Sequence, residues 1–113
     1  MRPESRKYLF DVSRAAELLA RFTAGKTFAD FSEDQLLQSA VERQMEIIGE
    51  AINQLSRVDA ETAARISGYR RIIALRNVLI HGYAQVDSRI LWDVLQINLP
   101  VLQRETQTLL GDD

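Results

Sequence analysis

The chain has 113 residues, of which 46% are apolar and 27% charged, and it contains one histidine and no cysteine. This length and composition predict a single domain over residues 1–113. The spacing of apolar residues along the chain, described below, predicts that this domain is all-helical. The lack of cysteine excludes disulfides and thiolate metal sites, and one histidine disfavours zinc. No run of about 18 apolar residues and no secretory leader is found, so we expect a cytoplasmic protein without membrane contact.

Charge is distributed unevenly along the chain. The net charge of -2 and the pI near 5.4 argue against a protein that coats nucleic acid non-specifically, because such binding depends on dense lysine and arginine surfaces. Residues 69–89 nevertheless hold four arginines against one aspartate, whereas residues 30–50 hold six acidic residues against one arginine. A local basic patch is therefore predicted in residues 69–89.

The first half of the chain predicts two long helices. Apolar residues between Tyr8 and Phe22 recur at steps of four and three, which predicts a helix over about 4–24 that stops at Gly25. After a predicted loop over 26–31, Ser32 and Gln35 have the spacing of a capping box. An apolar stripe then predicts a second helix over about 33–57, and stripes of this period favour bundle packing.

The second half predicts a short helix around 60–66, a fourth helix over about 69–80 and a last helix to about residue 110. Gly82 is expected to break the fourth helix, whose predicted core face carries Ile72, Leu75 and Leu79. The last helix has apolar residues on two stripes, which predicts burial on several sides, and Pro100 is expected to kink it. The fold class is therefore an all-α bundle of four to five helices.

The segment 76–83 carries the richest chemistry in the chain. It places the single histidine, His81, five residues after Arg76 and two before Tyr83, with Asn77 beside the arginine. The planar guanidinium of arginine fits phosphate, histidine moves protons near neutral pH, and tyrosine offers a modifiable hydroxyl. Together these residues suggest chemistry on a phosphodiester.

Helical spacing constrains how these residues can cooperate. Asn77 and His81 share one face, and Arg76 is long enough to curl toward Asn77. Arg76 and His81 lie about 140° apart on a regular helix, so both can reach one phosphate only if the helix unwinds at His81. Metal-free RNA cleavage needs a base, an acid and a cation, whereas one chain supplies one histidine and one motif arginine. We therefore predict that a symmetric dimer is the enzyme.

Taken singly, each motif residue has a structural interpretation. His81 alone would be a partner of the helix C-terminal dipole or a partly buried polar residue, and Arg76 alone a surface ion pair. Asn77 alone would be a helix-end residue, and Tyr83 alone a core or rim aromatic. The clustering of all four within eight residues favours a functional site.

A second candidate is the acidic stripe of Glu42, Glu46 and Glu50, which are spaced four apart. Three carboxylates along one helix do not make an octahedral Mg²⁺ site, so a solvated face or pairing with arginines is favoured. A further hypothesis is that Glu46 or Glu50 orients Arg76 or His81 from a facing helix. No metal and no cofactor are predicted.

Residues 76–83 fit an R-x4-H-x-Y signature and resemble the HepT-like toxins of the HEPN superfamily. Residues 45–51 are similar to the E-x-I-G-E-A stretch of that family, and residues 86–100 resemble its C-terminal helix. The resemblance covers about 8–103. Tyr69 stands where many members have tryptophan, which leaves the site assignment intact.

The resemblance implies a HEPN-type helical bundle, a homodimer whose motifs meet at a cleft, and metal-independent ribonuclease activity carried by Arg76 and His81, supported by Asn77. It also implies a type VII-like toxin–antitoxin pair, in which a cognate minimal nucleotidyltransferase antitoxin transfers AMP from ATP to Tyr83. A phosphate two residues from His81 would add charge and bulk where RNA must bind. The residues leave two alternatives: a non-catalytic nucleotide-binding or regulatory subunit of a nucleotidyltransferase complex, and a helical dimerisation module.

Overall fold

The computed structural model describes residues 1–81 and 86–111, and every regular element in these residues is an α-helix. The helices, in chain order, are α1 (Pro3–Thr23), α2 (Phe28–Glu33), α3 (Gln35–Val58), α4 (Ala60–Ala63), α5 (Tyr69–His81) and α6 (Ser88–Gly111). The predicted all-α class is confirmed, with six helices in the described residues rather than four to five. None of these helices is long and apolar enough to cross a bilayer.

The additional helix, α2, lies where a loop over 26–31 was predicted. It begins with a capping box in which the Thr27 hydroxyl accepts from the Asp30 backbone N–H at 3.2 Å. The Asp30 carboxylate accepts in turn from the Thr27 backbone N–H at 2.8 Å. The capping box predicted at Ser32 and Gln35 is wrong, because the extended backbone of Asp34 ends α2 and its carboxylate caps α3.

The long helices form a bundle with α3 at its centre. One side of α3 packs along α1 and the other along α5, while α6 packs against α1 and α2. The Phe31 and Trp92 rings meet at 5.4 Å between centroids, which joins α2 to α6. Fully buried apolar side chains come from every long helix except α5, and also from Phe31 of α2; those of the long helices include Leu9, Val12, Leu19, Val41, Ile52, Leu55 and Leu91.

Helices α5 and α6 leave an open cavity of about 490 Å³ between them, which we call the α5–α6 groove. Ile72 and Leu75 line it from α5, and Val94 and Val101 line it from α6.

The prediction that α6 is buried on several sides is wrong. One stripe, with Leu91, Leu95 and Leu102, is buried, whereas Ile90 and Ile97 on the other stripe are 56% and 69% exposed. The predicted core face of α5 is only partly buried. Helix α6 does not end at Pro100 but continues through it to Gly111.

Candidate active site

Gly49 of α3 sets how closely α5 approaches at Arg76. Gly49 is buried, and a Cβ added to it would overlap Cβ of Arg76 and lie 2.8 Å from its Cγ. The same added atom would lie 3.3 Å from the carbonyl oxygen of Ile72, one turn earlier in α5. Any larger residue would have to push the two helices apart. Gly49 therefore fixes the place where Arg76 emerges against α3.

The guanidinium of Arg76 is held between two helices. It forms an ion pair with the carboxylate of Glu50, the residue that follows Gly49 in α3. It also donates through Nη1 to Oδ1 of Asn77 at 2.8 Å. The side chains of Arg76 and Glu50 are 22% and 44% exposed, so the pair is partly shielded but reachable from solvent. An arginine held in this way can present its remaining N–H groups to a phosphate.

The contact with Asn77 also joins the guanidinium to the next residue of α5. α5 is helical up to and including His81, its last residue, so Arg76 and His81 diverge by about 140° around the axis. Asn77 and His81 are both exposed and lie one turn apart on one side of α5. The hydrogen bond to Asn77 confirms the curl of Arg76 toward that residue, while the same guanidinium stays paired with Glu50 of α3.

The structure thus brings Arg76, Asn77 and Glu50 into contact and leaves His81 exposed at the end of the same helix. Neither Arg76 nor His81 is enclosed in the apolar core. Gly82 and Tyr83 lie outside the described residues, and so does the predicted helix break at Gly82. Tyr83 therefore remains a prediction as the modified residue.

The acidic stripe of α3 divides into residues with different surroundings. Glu50 pairs with Arg76, and Glu46 pairs with Arg43 at 3.4 Å, so pairing with arginines is confirmed for two of the three residues. Burial raises the pKa of the Glu42 carboxyl above its ordinary value, and the nearby negative charge of Glu46 raises it further. Glu50, rather than Glu46, is the residue that contacts the motif.

The sequence pattern alone assigned no role to Gly49, which lies in the stretch 45–51 that resembles the family. A glycine in the middle of a long helix costs about 0.5–1 kcal/mol relative to alanine, so its presence indicates a close approach of another backbone. That signal could have located the contact between α3 and α5. It could not have shown which residue of α5 fills the contact.

The fold and the site define the chain as an all-α bundle of the HEPN type. A family model described as Ribonuclease HepT-like matches residues 12–109, which include α3, α5 and nearly all of α6. The chain belongs to this HepT-like family.

Several relatives match along nearly their whole length. A protein of Thermococcus cleftensis named "Probable ribonuclease HepT" is 35% identical over 113 residues, covering 96% of this chain and 98% of its own. A protein of Caldanaerobacter subterraneus named "Putative RNase TTE0752" is 32% identical over 105 residues, covering 93% of both chains. A larger Methanocaldococcus jannaschii protein, "Gamma-glutamylcyclotransferase and putative RNase MJ0434", is 35% identical over 99% of this chain and half of its own. No solved structure matches the chain significantly.

Proposed function

We propose that the chain is a metal-independent endoribonuclease that acts in the cytoplasm as the toxin of a type VII-like toxin–antitoxin pair. The observation that carries this proposal is the arrangement at the end of α5. There Glu50 and Asn77 hold the partly exposed guanidinium of Arg76, and His81 is exposed on the face that Asn77 shares. The names of the relatives support RNA as the substrate.

The proposed reaction is an internal transesterification of RNA. The 2′-hydroxyl attacks the adjacent phosphorus, the bond from phosphorus to the 5′-oxygen breaks, and a 2′,3′-cyclic phosphate is left on one product. One His81 imidazole accepts the proton of the 2′-hydroxyl, and a second imidazole protonates the departing 5′-oxygen. Arg76 stabilises the negative charge that builds on the phosphoryl oxygens. No step requires a metal ion.

Two imidazoles require two copies of the chain, so we propose that the homodimer is the active species. Val78 and Ile80, within three residues of His81, are exposed apolar side chains. Ile90 and Ile97 are also exposed, on the helix α6 whose Val94 and Val101 line the open α5–α6 groove. Exposed apolar side chains grouped in this way on α5 and α6 are typical of a protein interface. A twofold contact there would place the two motifs near each other.

The decisive experiment compares RNA cleavage by the wild type, Arg76→Ala and His81→Ala, using protein shown by intact mass to carry no AMP. We expect both substitutions to abolish cleavage, and we expect the wild type to work in EDTA and to leave 2′,3′-cyclic ends. Arg43→Ala, which removes another glutamate-paired arginine, is the matched control and should cleave normally. A strict Mg²⁺ requirement would contradict the mechanism. Intact RNA with pure, unmodified dimer would favour the regulatory-subunit alternative.

Silencing by the antitoxin is a separate part of the proposal. The Tyr83 hydroxyl oxygen attacks the α-phosphate of ATP, pyrophosphate leaves, the hydroxyl proton is released to solvent, and the tyrosine carries AMP through a phosphodiester. We expect protein made together with its nucleotidyltransferase to show AMP adducts by intact mass and to lose cleavage. Tyr83→Phe should carry no adduct, whereas Tyr8→Phe should be modified like the wild type. Adducts that persist on Tyr83→Phe would place the modification on another residue.

A further inference from the structure

We propose that Arg70, anchored on Tyr69, binds the backbone of single-stranded RNA at a phosphate several nucleotides from the one that is cleaved. This inference rests on the proposed ribonuclease function and deepens it, because it names a substrate-positioning residue outside the R-x4-H motif. It also makes the outer face of α5 the track along which the RNA strand lies.

The outer face of α5 aligns Arg70 with the motif. Residues 70, 74, 77 and 81 are separated by steps of four, three and four, which is the spacing of one helical stripe. All four residues are exposed, and Ala74 leaves the middle of the stripe low and uncharged. The opposite side of α5 packs on α3, so this stripe is the face that α5 turns away from the bundle.

The length of the stripe suits a strand of several nucleotides. At a rise of about 1.5 Å per residue, Arg70 lies roughly 10 Å along the helix axis from Asn77 and roughly 16 Å from His81. A stacked strand advances about 3.4 Å per nucleotide, so this separation spans about three to five nucleotides. Arg70 is therefore too far from the motif to touch the scissile phosphate and well placed to bind an outlying one.

The Arg70 side chain is held in place before any ligand arrives. Its Nε donates to the Tyr69 hydroxyl oxygen at 3.0 Å, and its guanidinium carbon lies 5.4 Å from the centroid of the Tyr69 ring. Tyr69 is itself partly buried against the apolar core, which makes it a fixed support. Holding a long side chain in place reduces the entropy lost on binding. The contact uses Nε, so it leaves the two terminal nitrogens able to donate to a phosphate.

Charge on α5 favours an anion along this face. α5 contains three arginines and no acidic residue. The charge of Arg76 is offset by Glu50, and those of Arg43 and Arg89 by Glu46 and Asp93, whereas the anchor of Arg70 is an uncharged phenol. Arg70 therefore keeps a positive charge that a phosphate can neutralise, with release of the counterion that the phosphate held.

Binding can be measured without cleavage by using His81→Ala as the background and a fluorescent oligouridylate long enough to span α5 as the probe. We expect Arg70→Ala to weaken binding of this probe about tenfold and to reduce the slope of log K against log salt by about 0.7, the value for one phosphate on a single strand. Arg14→Ala, which removes an exposed arginine of α1, is the matched control and should change neither quantity. Arg70→Lys should recover part of the affinity.

Substrate length provides an independent readout. A uridine dinucleotide cannot reach Arg70, so Arg70→Ala should leave its cleavage unchanged while raising KM, but not kcat, for the long oligouridylate. Equal effects of Arg70→Ala on cleavage of both substrates, or an unchanged salt slope of binding, would overturn the proposal. So would a result in which Arg70→Ala weakens only the binding of the nucleotidyltransferase.

The two proposals can fail separately. If wild-type protein cleaves RNA and Arg70→Ala binds like its parent, only the Arg70 proposal fails. If the wild type does not cleave RNA but Arg70→Ala lowers affinity and salt slope, the nuclease proposal fails and the RNA subsite stands. If the wild type does not cleave RNA and the protein does not bind the oligouridylate, both are wrong.

Discussion

Glu50 decides which way the motif arginine points. Arg76 leaves α5 at the level of Gly49, beside α3, where its guanidinium could extend in several directions. The carboxylate of Glu50 fixes one of them, and the Asn77 amide oxygen accepts from the far side of the guanidinium. Glu50 itself is steadied by Gln54, whose Nε2 donates to it at 3.1 Å. We therefore expect Glu50 to be a positioning residue that acts through Arg76.

We expect Glu50→Gln to lower kcat/KM for RNA cleavage about tenfold, because a hydrogen bond to a charged group contributes about 1.5–3 kcal/mol and solvent exposure reduces that value here. The loss should appear in kcat more than in KM, since a misdirected guanidinium fails the transition state. Glu46→Gln breaks the neighbouring pair with Arg43 and should leave cleavage unchanged. Unchanged or faster cleavage by Glu50→Gln would rule out the positioning role.

At the scale of helices, periodicity predicted the bounds of α1 and α5 and the end of α6 within about a residue, because each has a continuous apolar stripe. It missed α2, a single short helix that depends on the Thr27–Asp30 capping box rather than on a stripe. It also could not tell which of the two stripes on α6 faces the core. The motif residues were found from their chemistry, whereas the choice of Glu50 over Glu46 required the register of α3 against α5 that Gly49 sets.

Gly49→Ala tests that register. The added methyl group overlaps Arg76, so we expect a loss of about 1–3 kcal/mol in the free energy of unfolding, partly offset by the better helix propensity of alanine. Cleavage should fall as well, because α5 and the guanidinium move away from Glu50. Gly111→Ala is the matched control: a Cβ there meets nothing within 4 Å, so stability and cleavage should be kept. Full stability of Gly49→Ala, measured by urea unfolding, would show that the helices yield without cost.

Asp59 joins the start of α1 to the junction of α3 and α4. Its carboxylate accepts from the Thr62 hydroxyl at 2.7 Å and the Thr62 backbone N–H at 3.2 Å, and also from the buried Ser5 hydroxyl at 2.8 Å. These hydrogen bonds, with the side chain of Thr62 first and that of Ser5 second, lower the pKa of Asp59 below its ordinary value of 3.8. The contact stabilises the fold through the ionised carboxylate.

The sign of the pH effect follows from that lowered pKa. The stabilisation by Asp59 is fully present above its unfolded pKa, near 3.8, and is lost as the pH falls through the lower folded value. We expect Asp59→Asn to lower the free energy of unfolding by about 1 kcal/mol at pH 7, because the hydrogen bonds from Thr62 and Ser5 no longer end on a charged acceptor, and by less in acid. Asp93→Asn, in an exposed pair with Arg89, should show no such difference. An equal loss at both pH values would assign the effect to packing.

At the scale of the whole molecule, four of the seven large apolar side chains that are exposed in the described residues lie on α5 and α6. Helix α5 packs mainly on α3, and α6 packs on α1 and α2. The α5–α6 groove between them therefore stays open. A second copy would cover the stripe of Ile90 and Ile97 with the same stripe of its own, since a twofold contact is self-complementary. Burial of this surface and completion of the active site would then be one event.

Ile97→Asp tests this coupling, because a charge at the centre of an apolar contact carries a desolvation cost that the monomer does not bear. We expect sedimentation to show a monomer of unchanged helical content, and RNA cleavage to fall in proportion to the dimer that is lost. Leu36→Asp places the same charge on a side chain that is 81% exposed, at the start of α3 rather than on α5 or α6, and should remain dimeric and active. Cleavage at the wild-type rate by an Ile97→Asp monomer would mean that one protomer holds a complete site, and the requirement for two imidazoles would have to be abandoned.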